Sequence, residues 1–140
     1  MLDKSVIMAR LNRLDEYVFR LKRFEDIDLK EYISDSDVQA IVERNLQRAI
    51  QVCIDIANYI IARKRLPFPA EQENIFELLG REGVIPKELA VKIKGIINFR
   101  NILVHDYTEI DSKRVHHILK SDLGDFSEFA AAAVQFLEKN

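Results

Sequence analysis

The segment from Ser36 to about Arg65 constrains this fold more than any other part of the chain. Ser34 to Ser36 offer helix N-caps, and the pattern that follows is helical as far as RLPFPAEQ, where Pro67 and Pro69 stop it. At 1.5 Å per residue such a helix is roughly 40 Å long. Its first half is amphipathic. From Ala49 to Ala62 nearly every direction carries an apolar side chain, including Ile50, Val52, Cys53, Ile54, Ile56, Tyr59, Ile60 and Ile61. A helix of that kind needs cover on more than one side, from its own bundle or from a second subunit.

The rest of the chain supplies such cover. A first helix, about Asp3 to Phe24, sets Ile7, Leu11, Leu14, Val18 and Leu21 four and three residues apart, with Arg10, Arg13, Arg20 and Lys22 on the remaining surface. The stretch FEDIDLKEYISDSD reads as a looser connection. After the long helix, Pro69 suits the opening turn of a short one carrying Ile75, Phe76, Leu78 and Leu79, and Gly80 and Gly83 can cap its end. Pro86 opens a helix through PKELAVKIKGIINFRNILVH. Another follows the Asp111-Ser112 cap, and a last one runs from about Phe126 to Lys139. Four glycines and three prolines leave little material for strands and tight turns. The expectation is an all-α antiparallel bundle of about five to six helices, with residues 1–140 as one domain.

The formal net charge is −2, so any nucleic-acid contact must be local. Cys53 is the one cysteine, which excludes an intrachain disulfide, and VCIDIA suits a buried, inert thiol. No uncharged apolar run approaches the roughly 18 to 20 residues needed to span a bilayer, and the charged N-terminus is unlike a secretory signal. The expected location is cytoplasmic.

The stretch FRNILVHDY, Phe99 to Tyr107, interrupts an apolar pattern with charge. Turning 100° per residue from Ile93 collects Phe99, Leu103, Ile96, Val104 and Ile97 into one arc, and Arg100 falls in its middle. A guanidinium cannot be neutralised there; it must reach a carboxylate, a polar cleft or water at the core's edge. Lys94, Asn98, Asn101 and His105 form a separate polar stripe at spacings of four, three and four. Arg100 and His105 lie about 140° apart on an ideal helix. Either the arginine folds across the helix, or two copies of the helix pair so that one subunit's arginine faces the other's histidine. Gly95 suits close subunit approach. The plainer readings are a structural ion pair for Arg100, a dipole-favoured helix end for His105 and a bundle-closing role for Tyr107.

FRNILVHDY resembles the R-x4-H-x-Y motif of HEPN-domain proteins, most closely the HepT-type toxin ribonucleases. VERNLQRAIQVCIDIANYIIA, IFELLGREGVIPKELAVKIKGIINFRNILVHDY and DSKRVHHILKSDLGDFSEF extend the likeness over most of the chain after about Val38. The resemblance implies a HEPN-like bundle that cleaves RNA without a metal or other cofactor, at a cleft where two protomers meet. It implies Arg100, Asn101 and His105 as catalytic residues. It also implies that Tyr107 receives AMP from a cognate minimal nucleotidyltransferase (MNT) antitoxin, which silences the toxin. His105 suits acid–base work near neutral pH, and Arg100 suits a bidentate hold on phosphate.

Two other readings compete. One is a non-catalytic HEPN module that docks a nucleotidyltransferase or binds nucleotide or RNA; the acidic balance favours it slightly. The other is a helical metal protein using His116, His117, Asp111 and Asp122, against which stands the missing E-x-x-H pattern of di-iron bundles. His116 and His117 read better as a solvated or interface edge. Lys92, Lys94 and the Arg63-Lys64-Arg65 cluster are the basic residues expected to steer RNA.

Overall fold

Short polar side chains set most of the helix starts. In the computed structural model, which describes residues 2–105 and 111–140, Asp3 accepts the Ser5 N–H at 3.0 Å and starts α1 (Lys4–Lys22). Asp28 starts α2 (Leu29–Ser34), accepting the Glu31 N–H at 2.7 Å. Asp35 starts α3 (Ser36–Arg63), accepting from both Asp37 and Val38 at 3.1 Å. Asn74 and Glu77 form a reciprocal capping box at α4 (Ile75–Arg81). α5 (Lys87–His105) follows Pro86, Asp111 caps α6 (Ser112–Ser121), and α7 (Leu123–Lys139) closes the chain. Each cap satisfies N–H groups that the first helical turn leaves without partners.

The described residues form an all-α bundle of seven helices. Its four long members close a ring, α3 lying against α1 and α5, and α7 against the same two; α4 packs on α5, and α2 on α6 and α3. Ile7, Leu14, Leu46, Ile50, Ile56, Phe76, Phe126 and Phe129 are fully buried between them. Phe76 meets Phe129 edge to face, with ring centroids 5.7 Å apart, tying α4 to α7. Burial of each such side chain contributes roughly 1.5–3 kcal/mol. The all-round apolar half of α3 is covered largely from within the chain: Ile50, Cys53, Ile56 and Ile60 are buried, and Ile54 and Ile61 are half-buried.

Several expectations are corrected. FEDIDLKEYISDSD contains α2, whose Tyr32 is wholly buried. Pro69 lies outside any helix, because α4 starts only at Ile75. Gly80 is no cap: it sits inside α4, where an added Cβ would lie 2.9 Å from the Ala90 Cβ, so its missing side chain admits α5. Gly83 is the capping residue, at φ +76°. α7 begins at Leu123, three residues before Phe126. No described helix is long and apolar enough to cross a membrane.

Candidate active site on the last turns of α5

Leu89, Ala90, Ile93, Ile96 and Phe99 are the buried residues that aim α5 at the core. Position 100, seven residues after Ile93 and four after Ile96, continues that line in register. Lys94 lies on a different flank and reaches α4, its Nζ 3.1 Å from Glu77. Positions 98, 101 and 105 continue the Lys94 line, and His105 ends the helix. The backbone therefore keeps Arg100 apart from the stripe of Asn101 and His105, as the helical wheel requires. Five residues of helix separate positions 100 and 105 by roughly 7.5 Å along the axis. The side chains of Asn98 and of residues 100–105 lie outside the described ones, as does Tyr107 entirely.

The basic residues near this helix are differently placed. Lys94 is paired with Glu77, and Lys92 with Glu128 of α7 at 3.6 Å. The Asn74 N–H and then the Lys94 ammonium hold the Glu77 carboxyl below the usual glutamate range. The amino-acid pattern showed these lysines without the carboxylates that other helices bring to them. Gly95, expected to admit a second subunit, faces Arg114 of α6, whose Nη2 is 3.8 Å from where a Cβ would stand.

His116 is not a solvated edge. Its Nε2 is 2.8 Å from the Ile27 carbonyl oxygen and its ring lies 5.8 Å from Tyr32, which fixes α6 against α2. His117 is exposed, 4.0 Å from Asp122. The proposed metal set is therefore split between a packed imidazole and a surface one, and no three His, Cys, Asp or Glu residues gather among the described residues. Cys53 is fully buried, and burial pushes its thiol up, as its apolar setting implies. Burial, with Glu43 adding to it, likewise pushes up the Tyr32 hydroxyl, which has no hydrogen-bond partner among the described residues.

Sequence reasoning passed over a second polar surface. α1 and α3 flank a groove of about 600 Å³ lined by Arg10, Arg13, Tyr17, Arg48 and Asp55. The arginines on the outer side of α1 had read as an ordinary solvated face; only the antiparallel partner, bringing Arg48, makes them a cluster.

Comparison with known proteins agrees with this architecture. The family model described as ribonuclease HepT-like matches residues 14–133. A Shewanella oneidensis mRNA nuclease HepT is 35% identical over 111 residues, covering 78% of this chain and 84% of that protein. An Aphanizomenon flos-aquae tRNA nuclease HepT is 34% identical over 114 residues, covering 81% and 78% respectively. The solved structure of a tri-AMPylated Shewanella oneidensis HEPN toxin in complex with MNT antitoxin superposes with a TM-score of 0.82 at 30% identity, covering 96% of this chain and 99% of that one. On sequence and fold together, the chain belongs to the HepT-like ribonuclease family.

Proposed function

We propose that this protein is the toxin of a HEPN/MNT toxin–antitoxin pair, an endoribonuclease that cuts RNA without a metal ion. The observation that carries the reading is the register of α5: Arg100 on the core line and Asn101 with His105 on the flank, in a chain of the HepT-like family. Residues 1–140 act as one HEPN domain, and two copies enclose the cleft, which answers the separation of Arg100 from His105 around one helix.

In this reading Arg100 grips the scissile phosphate through two parallel N–H bonds and offsets charge that builds on its oxygens. A ribose 2′-hydroxyl attacks the adjacent phosphorus. The O2′–P bond forms, the P–O5′ bond breaks, and the products are a 2′,3′-cyclic phosphate and a 5′-hydroxyl. His105 takes the 2′ proton as base or delivers one to the leaving oxygen as acid. Asn101, one turn before His105, orients the imidazole or holds a phosphate oxygen. DNA lacks the attacking hydroxyl and is not cut.

Tyr107 is the proposed acceptor of AMP from the cognate nucleotidyltransferase. The added phosphate charge and bulk next to Arg100 would occupy the phosphate site and switch the toxin off.

The test is cleavage of RNA by purified protein in EDTA. Wild type cleaves; Arg100→Ala and His105→Ala keep wild-type circular dichroism and melting but lose cleavage by about 10²-fold or more. Cleavage at the wild-type rate by both variants removes the mechanism, and loss of wild-type cleavage in EDTA removes its metal independence. With the cognate nucleotidyltransferase and ATP, AMP incorporation disappears in Tyr107→Phe; incorporation that survives places the modification elsewhere.

A further inference from the structure

The α1–α3 groove differs from the α4–α5 face, where Arg81, Lys92 and Lys94 are ion-paired. Among the described residues none of the ion pairs takes in Arg10, Arg13 or Arg48. Instead, guanidinium groups lie over tyrosine rings. Tyr17 of α1 carries Arg20 and, from across the groove, Arg48, at 5.7 and 5.9 Å from its ring centre. Past the lined part of the groove, Tyr59 of α3 carries Arg63 and, from α1, Arg10, at 5.3 and 5.8 Å. Arg13 is exposed between these two clusters.

A cation–π contact holds a guanidinium beside a ring without neutralising its charge, so these arginines stay available to an anion. Asp55 is the one carboxylate lining the groove, and it accepts a hydrogen bond from Gln51 at 2.9 Å. Three guanidinium groups against one carboxylate leave a local positive field in a chain whose net charge is −2. Along α1 the groove lining runs eleven residues, from Val6 to Tyr17, roughly 16 Å at 1.5 Å per residue, longer than one phosphate group bridges and suited to a run of them.

We propose that the α1–α3 groove holds the phosphodiester backbone of single-stranded RNA, with Arg10, Arg13 and Arg48 on phosphates and Tyr17 and Tyr59 holding the arginines in place. The choice of RNA rests on the ribonuclease reading above. α3 is the shared wall between the two places, packing on α1 with one flank and on α5 with another. A strand lying in the groove is thus held one helix away from α5, and the groove acts in substrate retention and not in the chemical step.

The test separates holding from cutting. Binding of an unstructured RNA of about 20 nucleotides is measured by fluorescence anisotropy across a salt series, in a His105→Ala background so that nothing is cut. Replacing Arg10, Arg13 and Arg48 together by glutamine should weaken binding at least tenfold and make the log affinity against log salt line shallower by about two, at roughly 0.7 per phosphate contact. Exposed Arg13→Gln alone, which disturbs no stacked ring, should shift the slope by about 0.7 and decides the matter if the triple variant melts early. Lysine at all three positions should preserve the slope. Unchanged affinity and slope overturn the proposal; so does a change of oligomeric state with RNA affinity intact, which would make the groove an interface between copies. Cleavage of a dinucleotide, too short to reach the groove, should be equal with and without the triple replacement in an otherwise wild-type chain. Failure of wild type to cut the dinucleotide counts against the ribonuclease reading alone, while anisotropy still decides the groove.

Discussion

Two basic faces of this molecule look alike in the amino-acid sequence and differ in the folded chain. On the α4–α5 face three cations have carboxylates: Arg81 with Glu73 at 2.9 Å and Glu82 at 3.0 Å, Lys94 with Glu77, and Lys92 with Glu128. On the α1–α3 face Arg10 and Arg48 lie on aromatic rings. The first arrangement offsets its own field, and the two lysine pairs link α5 to α4 and to α7. The second projects charge outward. What a polyanion meets is therefore the charge left after tertiary pairing, and this favours α1 over the lysines of α5 as a place for RNA.

The sharpest way to break the contrast is to damage the paired face and ask whether the other notices. Phe76→Ala removes the ring that packs on Phe129 and should cost about 3–5 kcal/mol in urea unfolding. RNA affinity of the remaining folded protein should stay within about twofold of wild type, since the arginine groove lies on other helices. A tenfold loss of affinity would show that the two faces are one unit.

Gly80→Ala is expected to cost about 1–3 kcal/mol, because the new methyl group would press on Ala90 where α4 meets α5. A neutral or stabilising result by thermal melting would mean that this crossing yields easily, and that the pairs around it do not need its geometry.

Acid should weaken the paired face selectively. Hydrogen bonds from the Arg81 guanidinium, followed by that of the Ala70 N–H, pull the Glu73 carboxyl down to about 2. A depressed folded-state value means that stabilisation is complete above the ordinary glutamate range and is lost as pH falls toward about 2. The urea midpoint of Glu73→Gln should therefore lie below that of wild type at neutral pH, and the gap should close as the solution is acidified. A gap that persists in acid would show that the pair contributes nothing through its charge.

The smallest effect concerns Lys92 and Lys94. Exchanging both for glutamine should change RNA affinity by less than about twofold, since neutralised cations release few counterions. A loss as large as that of Arg13→Gln would collapse the distinction between the faces.

How much was legible follows the same division between local and distant causes. α1 and α3 were readable because apolar spacing, caps and prolines act within one or two turns. α2 was not, since six residues with one buried side chain, Tyr32, make no period. Gly80 looked like a cap and proved to be a contact, because the residue that needs its space, Ala90, comes from the next helix. His116 appeared solvated for the same reason: its partner, the Ile27 carbonyl, is 89 residues away. At the candidate site, the separation of Arg100 from the Asn101–His105 stripe was already set by helical geometry. The counterions of Lys92 and Lys94 were invisible there.

By itself, then, the sequence determined the helices, the core-facing stripe of α5 and the angular order of Arg100, Asn101 and His105 within it. These depend on a rotation of about 100° per residue, which is a property of the backbone. Tertiary structure alone decided which cations were neutralised and which arginines met in a groove. Those outcomes depend on distances between side chains far apart along the chain, and only packing of the helices sets them.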